Sequence, residues 1–149
     1  MKNHDGHELE QMIEILREHG LRLTHQRLEI LRVLAADSSH PSVEQIYDRV
    51  VKRVPTISLD TVYRTITSFE KYGAVKRVEV LDDKSRFDTN PQQHHHWICK
   101  RCKRIEDFHW PAFDKLDVPD KLNAWGMVDS KQVEIRGLCS DCRGKTKRK

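Results

Sequence analysis

The first half of the chain contains four stretches in which apolar residues recur every three or four positions, the spacing of one helix face. In the first two stretches the apolar positions are Leu9, Met12, Ile13 and Leu16, and then Leu28, Leu31, Leu34 and Ala35. Gly20 is expected to end the first helix. Thr24 is a suitable N-cap for the second, which is predicted from His25 to about Ala36. The pattern therefore predicts two consecutive amphipathic helices.

A break at His40-Pro41-Ser42 separates these helices from two more. Ser42 and Gln45 have the spacing of a capping box at the start of the third helix. Its apolar positions are Val43, Ile46, Tyr47, Val50, Val51 and Val54. Pro55 ends it, and Ser58 caps a fourth helix predicted over 59–72. The apolar stripe of the fourth helix is Leu59, Val62, Ile66 and Phe69.

The opposite face of the fourth helix carries small and charged side chains around one arginine, namely Asp60, Thr61, Arg64, Thr65 and Ser68. Such a face can approach phosphates and base edges. After Gly73, the segments Val75–Val80 and Lys84–Phe87 alternate with a period of two and predict a basic hairpin closed by Leu81-Asp-Asp83. This order is typical of a winged helix-turn-helix, whose last helix enters the major groove. An ordinary surface helix is the alternative, and Tyr63 is either a core residue or a DNA contact.

Beyond Pro91 the pattern changes to short strands. The segments 94–98 and 104–108 are predicted as two strands hinged by Cys99 and Cys102, and 132–138 as a third. A helix from Pro111 to about Trp125 is expected to be interrupted at Pro119. We therefore predict an α+β fold, with a winged-helix domain at 1–89 and a small α/β domain at 90–149 that contains a three-stranded antiparallel sheet.

Composition narrows the class of protein. The 149 residues are 34% charged and 37% hydrophobic, typical of a soluble globular protein. No apolar run approaches the roughly 20 residues of a membrane span, and the first residues lack the apolar region of a signal peptide, so we expect a cytoplasmic protein with no membrane partner. The net charge of +4 and the basic tail 143–149 permit an anionic partner such as DNA. A tail of this kind is expected to be a solvated, frayed end.

All four cysteines stand in two Cys-x-x-Cys pairs, Cys99 with Cys102 and Cys139 with Cys142. In a reducing compartment such pairs are more often zinc ligands than disulfides. Two knuckles that each present two thiolates form a tetrahedral site suited to structural Zn²⁺. Redox pairs are the alternative, but no thioredoxin-like βαβ pattern surrounds them.

Three consecutive histidines predict a second, chemically different site. In an extended segment His94 and His96 point to one face and His95 to the other. Carboxylates near them along the chain are Asp88 before the histidines, and Glu106 or Asp107 after them. Nitrogen and carboxylate oxygen without sulfur favour Fe²⁺, Mn²⁺ or Zn²⁺. A surface loop rich in histidine is the alternative.

These motifs together resemble the ferric uptake regulator family of bacterial metal-responsive repressors. The matching segments are Gly20-Leu-Arg-Leu-Thr-His-Gln-Arg27, His40-Pro41, Thr61-Val-Tyr-Arg64, Arg86-Phe-Asp88, His94-x-His96-x-Ile-Cys99-x-x-Cys102 with Asp107, and Cys139-x-x-Cys142. The resemblance implies a homodimer that binds double-stranded operator DNA, with the C-terminal domain as the dimerisation domain. It also implies structural Zn²⁺ at Cys99, Cys102, Cys139 and Cys142, and a regulatory ion held by His40, Asp88, His94, His96 and Asp107.

Aspartate at both carboxylate positions resembles the peroxide-responsive branch of that family, since iron-sensing members typically carry glutamate. In this branch Fe²⁺ is the sensing ion, Mn²⁺ is a redox-inert corepressor, and peroxide oxidises a ligand histidine, here His40 or His94. Lys131 stands where many relatives supply a histidine to a further site, so no third metal site is expected. His95 has no role in this scheme and is expected to be exposed.

The resemblance also implies DNA contacts by Arg22, Tyr63 and Arg64. We thus expect a transcriptional repressor without catalytic residues. An iron-responsive or other metal-responsive repressor of the same family is the alternative. A zinc-dependent hydrolase that uses His94, His96 and Asp88 or Asp107 is more remote, because no general acid or base is evident beyond the ligands. A zinc-ribbon interaction module would leave the histidines unused.

Overall fold

The computed structural model describes residues 4–81 and 83–146. Asp82 of the predicted hairpin loop and residues 147–149 of the basic tail lie outside the described residues. By its internal contacts the chain divides into two compact units, Met1–Pro91 and Gln92–Lys149. No helix among the described residues is both long and apolar enough to cross a membrane.

The first unit contains four helices followed by a hairpin, in the predicted order. The helices are α1 (His4–Glu18), α2 (His25–Ala35), α3 (Val43–Val50) and α4 (Leu59–Lys71). The hairpin pairs β1 (Lys76–Val78) with β2 (Arg86–Asp88) in antiparallel register. The predicted winged-helix pattern of helices and hairpin is therefore confirmed, although both strands are shorter than the alternating segments.

Side-chain caps define where these helices begin. The hydroxyl of Ser42 accepts the Gln45 backbone N–H, and the Gln45 side chain accepts the Ser42 backbone N–H, which confirms the predicted capping box. The hydroxyls of Thr24 and Ser58 cap α2 and α4 by accepting the backbone N–H of Arg27 and of Thr61, without a return bond. The third helix ends at Val50 rather than at Val54, because the chain leaves the helix in a turn that still buries Val54.

One apolar core fills the first unit. Its buried members are Met12, Leu16, Ile30, Leu31, Leu34, Ala35, Ile46, Val50, Val54, Ile57, Val62, Ile66, Phe69, Ala74, Val75 and Phe87. On α2 the predicted inward positions Leu31, Leu34 and Ala35 are buried, but Leu28 is only half-buried. Glu29 and Ile30, which were not predicted to face inward, are buried as well. On α4, Thr65 is buried, because it lies beside Val62 and Phe69 on the helix surface, whereas Leu59 at the first turn is 44% exposed.

The hairpin is tied to α4 by a bidentate ion pair. Arg77 of β1 donates from Nε to Glu70 Oε1 at 3.1 Å and from Nη2 to Glu70 Oε2 at 2.9 Å. Two parallel bonds between planar groups fix orientation as well as distance. The wing is thereby held at a defined angle to the fourth helix.

The second unit contains a three-stranded sheet and three short helices. The strands are β3 (His95–Cys99), β4 (Ile105–Phe108) and β5 (Glu134–Gly137), in the order β4-β3-β5. The helices are α5 (Pro111–Asp114), α6 (Asp120–Asn123) and α7 (Ser140–Thr146). The predicted interruption at Pro119 is confirmed, since Pro119 is the N-cap of α6. The last helix, α7, occupies residues for which a frayed tail was expected.

The prediction of an entirely antiparallel sheet is wrong, because β5 runs parallel to β3. β4 ends with Phe108 opposite His95, at the end of the sheet where β3 begins. The segment 109–133 crosses over at that end, and β5 starts opposite His96 and runs in the direction of β3. As a result β5 ends opposite Cys99, so that Cys139 and Cys142 follow next to the first knuckle. An antiparallel β5 would have placed them at the other end of the sheet.

Candidate metal centres

The four cysteines of the second unit form one cluster. Their sulfur atoms all lie within 4.8 Å of one another, and Cys102 Sγ is 3.8 Å from Cys139 Sγ. That separation is far longer than the roughly 2.0 Å of a disulfide. It agrees with the ~3.8 Å between two sulfurs of a tetrahedral site with Zn–S bonds of about 2.3 Å. The donor set and its dimensions therefore fit Zn²⁺.

Backbone N–H groups point at these sulfurs and prepare them to bind a cation. The Cys139 N–H lies 3.4 Å from Cys99 Sγ, and it lowers the pKa of Cys99 to about 6. A hydrogen bond with the Cys139 side chain raises the pKa of Cys142 to about 12. One sulfur thus carries negative charge near neutral pH while another retains a proton, which a divalent ion would displace on binding.

A second group of metal-ligating side chains lies at the opposite end of β3. His94 Nε2 and His96 Nε2 are 3.1 Å apart, and Asp107 Oδ1 lies 3.7 Å from the first and 3.4 Å from the second. Asp107 reaches them because it pairs with His96 across β3 and β4. Glu106, the alternative carboxylate, pairs instead with Arg104. Both histidine side chains are buried and Asp107 is a quarter exposed.

Hydrogen bonding determines which nitrogen of His94 can bind a metal. His94 Nδ1 lies 2.6 Å from the carbonyl oxygen of Gln92. Because a carbonyl oxygen only accepts, Nδ1 carries the proton and Nε2 has the lone pair. That lone pair points toward His96 Nε2 and the Asp107 carboxylate. Such orientation of an imidazole by a backbone carbonyl is usual at metal sites.

The first unit contains a buried histidine and carboxylate of its own. His40 Nε2 lies 3.8 Å from Asp88 Oδ2, and both side chains are almost fully buried. The backbone of β2 is bound to the segment before α3, since Phe87 donates its N–H to Pro41 O at 3.1 Å. Asn90 donates its backbone N–H to Asp88 Oδ1 at 2.9 Å, which orients the carboxylate. His40 itself has φ of 58°, a left-handed conformation that is uncommon outside glycine but that histidine, asparagine and aspartate adopt more often than other residues.

The expectation that His95 is exposed is wrong. Its side chain is fully buried, Nδ1 accepts the Val133 backbone N–H at 3.0 Å, and Nε2 lies 2.8 Å from Asp114 Oδ1. The rings of Phe108 and Phe113 lie against it at 5.4 Å and 5.3 Å. Strand alternation correctly placed His95 on the opposite face from its neighbours. The sequence pattern did not indicate that α5 would cover that face.

The predicted DNA contacts lie on the surface of the first unit. Arg22 precedes α2 and is exposed, and Tyr63 on α4 is 50% exposed, so Tyr63 is not a core residue. The Arg64 side chain is 78% exposed and its Nε lies 2.9 Å from Asp60 Oδ2. Lys131, in the second unit, donates to Leu116 O and lies over the Phe113 ring.

Comparison with known proteins identifies the family. The sequence model of the ferric uptake regulator family matches residues 18–132. The peroxide-responsive repressor PerR of Staphylococcus epidermidis is 38% identical over 137 residues, which cover 92% of this chain and 91% of that protein. This chain belongs to the ferric uptake regulator family. The family assignment made from the motifs is thus confirmed.

Solved structures of this family share the fold. A zinc-bound manganese uptake regulator superimposes with a TM-score of 0.68 at 32% identity, over 86% of this chain and 98% of that one. The Campylobacter jejuni peroxide stress regulator superimposes with a TM-score of 0.66 at 28% identity, over 87% of this chain and 98% of that one. The α+β fold predicted from the sequence is therefore confirmed.

Proposed function

We propose that this protein is a metal-dependent transcriptional repressor that binds operator DNA as a homodimer and loses DNA affinity under peroxide stress. Zn²⁺ is the structural ion at Cys99, Cys102, Cys139 and Cys142. Fe²⁺ is the sensing ion at the histidine and aspartate site, and Mn²⁺ is a redox-inert corepressor there. Membership of a family of transcriptional regulators supports a role in regulation rather than in catalysis.

The observation that carries the proposal is the pair of half-sites built from oriented, largely buried donors. His40 and Asp88 form one in the first unit, and His94, His96 and Asp107 form the other in the second. Each half-site alone offers too few donors for Fe²⁺ or Mn²⁺, whereas together they offer nitrogen and carboxylate oxygen in the number that such an ion prefers. We propose that the two half-sites bind one ion together. Its two positive charges would balance the two carboxylates, with three neutral imidazoles as further ligands.

Binding of one ion by residues of both units would couple metal occupancy to DNA affinity. An ion held by residues from both units selects one placement of the winged helix relative to the rest of the protein. A dimer reads the two halves of an operator DNA site at a fixed helical phase, so a wrong placement of the winged helices weakens the contacts with both halves of the DNA site. The expected coupling free energy is of order 1–3 kcal/mol.

The second unit supports the proposed dimer through its surface. Among the described residues, most of the large apolar side chains that remain exposed belong to this unit; they are Trp110, Leu116, Trp125, Met127, Val128, Ile135 and Leu138. A small domain that leaves this many large apolar side chains exposed is expected to bury some of them in an interface. A second copy of the same chain is the partner that the family implies.

For DNA binding we propose Arg22, Tyr63 and Arg64 as contact residues. All three are exposed in the first unit, and Tyr63 and Arg64 lie on the polar face of α4. The hairpin beside α4 would lie along the DNA backbone, as in other winged helices. The assignment of the first unit to DNA binding and of the second to dimerisation rests on these features.

Peroxide sensing depends on the ion, because bound Fe²⁺ would activate peroxide by electron transfer whereas Mn²⁺ does not do so readily. The residues would hold the ion beside their own oxidisable rings, so that one oxygen atom of peroxide adds to the ring of His40 or His94 and the other leaves as water. The carbonyl of Gln92 keeps His94 Nε2 as the metal-binding atom. Oxidation of either ring would remove one ligand and release the ion.

The test compares three forms of the purified protein, with Zn²⁺ alone, with added Mn²⁺ and with added Fe²⁺. Gel shifts on promoter DNA should show binding only with Mn²⁺ or Fe²⁺. After peroxide, the Fe²⁺ form should lose DNA affinity and gain oxygen on the peptide containing His40 or His94, measured by mass spectrometry. The Mn²⁺ form should be unchanged. Peroxide-insensitive binding by the Fe²⁺ form would favour an iron-responsive repressor, and DNA binding independent of metal would contradict the proposal.

A further inference from the structure

The exposed face of α4 contains an ion pair between its second residue, Asp60, and Arg64 one turn later. Arg64 Nε lies 2.9 Å from Asp60 Oδ2, and the two side chains are 78% and 67% exposed. Tyr63 next to Arg64 is half exposed. The pair is therefore open to a macromolecule that approaches this face. The inference below rests on the proposed function, in which that macromolecule is DNA.

The geometry of the pair leaves the base-reading edge of the guanidinium available. Asp60 engages Nε, and among the described residues it is the ion-pair partner that the structure gives Arg64. Nη1 and Nη2 form the outer edge of the planar group, with two parallel N–H donors. Guanine presents two acceptors, O6 and N7, side by side in the major groove, and a bidentate arginine is their commonest reader.

The ion pair with Asp60 restricts the arginine before DNA arrives. A long, exposed side chain loses rotamer freedom on binding, and that loss weakens association. Asp60 removes part of this freedom in the free protein, because its carboxylate is attached to the same helix one turn away. The guanidinium then has less rotamer freedom to lose when it meets a guanine.

The same carboxylate disfavours DNA that lacks the matching base. Binding to any DNA sequence is driven by cations that neutralise phosphates and release counterions. An arginine already paired with Asp60 neutralises phosphate charge less effectively, and the carboxylate itself repels nearby phosphates. Sequence-independent affinity is therefore lowered at the position where sequence is read.

We propose that Asp60 is a specificity-determining residue that positions Arg64 for a guanine and opposes binding to non-operator DNA. The simpler view is that Asp60 only stabilises the positive N-terminal end of α4 through the helix dipole. A stabilising role of that kind would change the affinities for operator and non-operator DNA by the same factor. Loss of positioning would lower operator affinity alone and loss of repulsion would raise affinity for any DNA, so the ratio of the two affinities would fall.

The test starts from duplexes selected by the Mn²⁺-loaded wild-type protein from a random DNA pool. Each base pair of the selected site is then replaced, and affinities are measured for wild type, Asp60→Asn, Arg64→Ala and the double variant over a range of salt concentrations. Wild type should prefer G·C at one position in each half of the selected DNA site by about 5- to 150-fold, and Arg64→Ala should abolish that preference.

Asp60→Asn should weaken the G·C preference by about two- to fivefold, the range expected from loss of an exposed ion pair. It should also raise non-operator affinity and steepen the slope of log affinity against log salt by up to about 0.9. In a protein that already carries Arg64→Ala, Asp60→Asn should leave base preference unchanged, because Asp60 is proposed to act on base preference through Arg64. Comparison of the two single variants with the double variant measures this coupling.

Two matched variants separate base reading from simple charge. Asp117→Asn makes the same chemical change at an exposed position of the second unit and should alter neither the base preference nor the non-operator affinity. Glu44→Gln releases Lys84, which lies 2.9 Å from it, and should raise non-operator affinity without changing base preference. Equal effects of Asp60→Asn on operator and non-operator DNA, or an undiminished effect on base preference without Arg64, would overturn the proposal. Absence of metal-dependent DNA binding by wild type would instead overturn the proposed function.

Discussion

The two units of this protein reach a defined structure by different means. The first unit buries a continuous set of large apolar side chains from all four helices and the hairpin. In the second unit one buried cluster consists of Cys99, Cys139 and Cys142 with Trp97 against them. Ile98 and Ile105 are also buried there, while most of the large apolar side chains exposed among the described residues belong to this unit. A domain this small seldom folds on apolar burial alone and needs metal, cross-links or a partner. The difference indicates that helix packing stabilises the first unit, whereas ligation, a buried histidine and proposed dimerisation stabilise the second.

The largest expected effect is loss of the cysteine site. We expect Cys99→Ser to abolish zinc binding and with it the folded second unit and the dimer, because structural zinc contributes about 10–16 kcal/mol of apparent binding free energy. Helical circular dichroism from the first unit should largely remain. Zinc content, circular dichroism and sedimentation measure the three properties.

Ser140→Ala, an exposed neighbour between two of the cysteines, is the control for Cys99→Ser and should bind zinc normally. A zinc-free Cys99→Ser protein that remained a native dimer would show that the second unit does not depend on ligation. The comparison between the units would then fail.

The next effect tests the buried histidine of the second unit. His95→Ala leaves the Asp114 carboxylate and the Val133 N–H without their partner and opens a cavity between two phenylalanine rings. We expect a loss of about 2–4 kcal/mol in the free energy of unfolding of this unit, measured by denaturant titration with zinc present. His109→Ala, at an exposed histidine of the same unit, should cost less than about 1 kcal/mol. Equal costs for the two variants would mean that His95 contributes no more than a surface residue.

A third prediction concerns the proposed link between the units. His40→Ala should leave the fold and the dimer intact but remove metal-stimulated DNA binding, a coupling of about 1–3 kcal/mol. Gel shifts with and without Mn²⁺ measure this coupling. His25→Ala, at the exposed first residue of α2, should retain it. Full metal stimulation in His40→Ala would show that the two half-sites do not bind one ion.

The smallest expected effect is the loss of stability on replacing Asp37, a carboxylate of the first unit. Burial alone would raise the pKa of Asp37, but hydrogen bonds from Ser39 and Arg49 outweigh it and hold the pKa below its usual range. A carboxylate with a lowered pKa stabilises the fold above its unfolded pKa and loses that contribution as pH falls through the folded value. We expect Asp37→Asn to cost about 0.5–1 kcal/mol near neutral pH, and the difference from wild type to shrink below about pH 4.

Urea titrations at several pH values measure the Asp37 effect. Asp48→Asn, on the exposed side of α3, is the control and should show little change at any pH. A cost for Asp37→Asn that stayed constant down to pH 3 would mean that the carboxylate charge is not the stabilising feature. A much larger cost would mean that the first unit depends on polar contacts more than its core suggests.

Much of the local structure followed from the sequence because short-range rules govern it. Three helices begin after a capping residue, namely Thr24, Ser42 or Ser58. Each cap accepts a backbone N–H only three residues away, so no distant contact is needed to specify these helix starts. The two Cys-x-x-Cys pairs and the one-sided placement of His94 and His96 likewise depend only on local spacing. These features could be predicted without a relative.

Tertiary structure decided what local spacing cannot express. The parallel course of β5 depends on where the chain leaves β4, and this course, rather than the cysteine spacing, places the second knuckle beside the first. The burial of His95 depends on α5, which lies on the side of β3 away from His94 and His96. The same holds for Thr65 and Leu59 on α4, whose exposure follows from which neighbours cover each turn. Sequence specified the chemical groups and their local geometry, and only the packing of distant segments determined which of those groups meet.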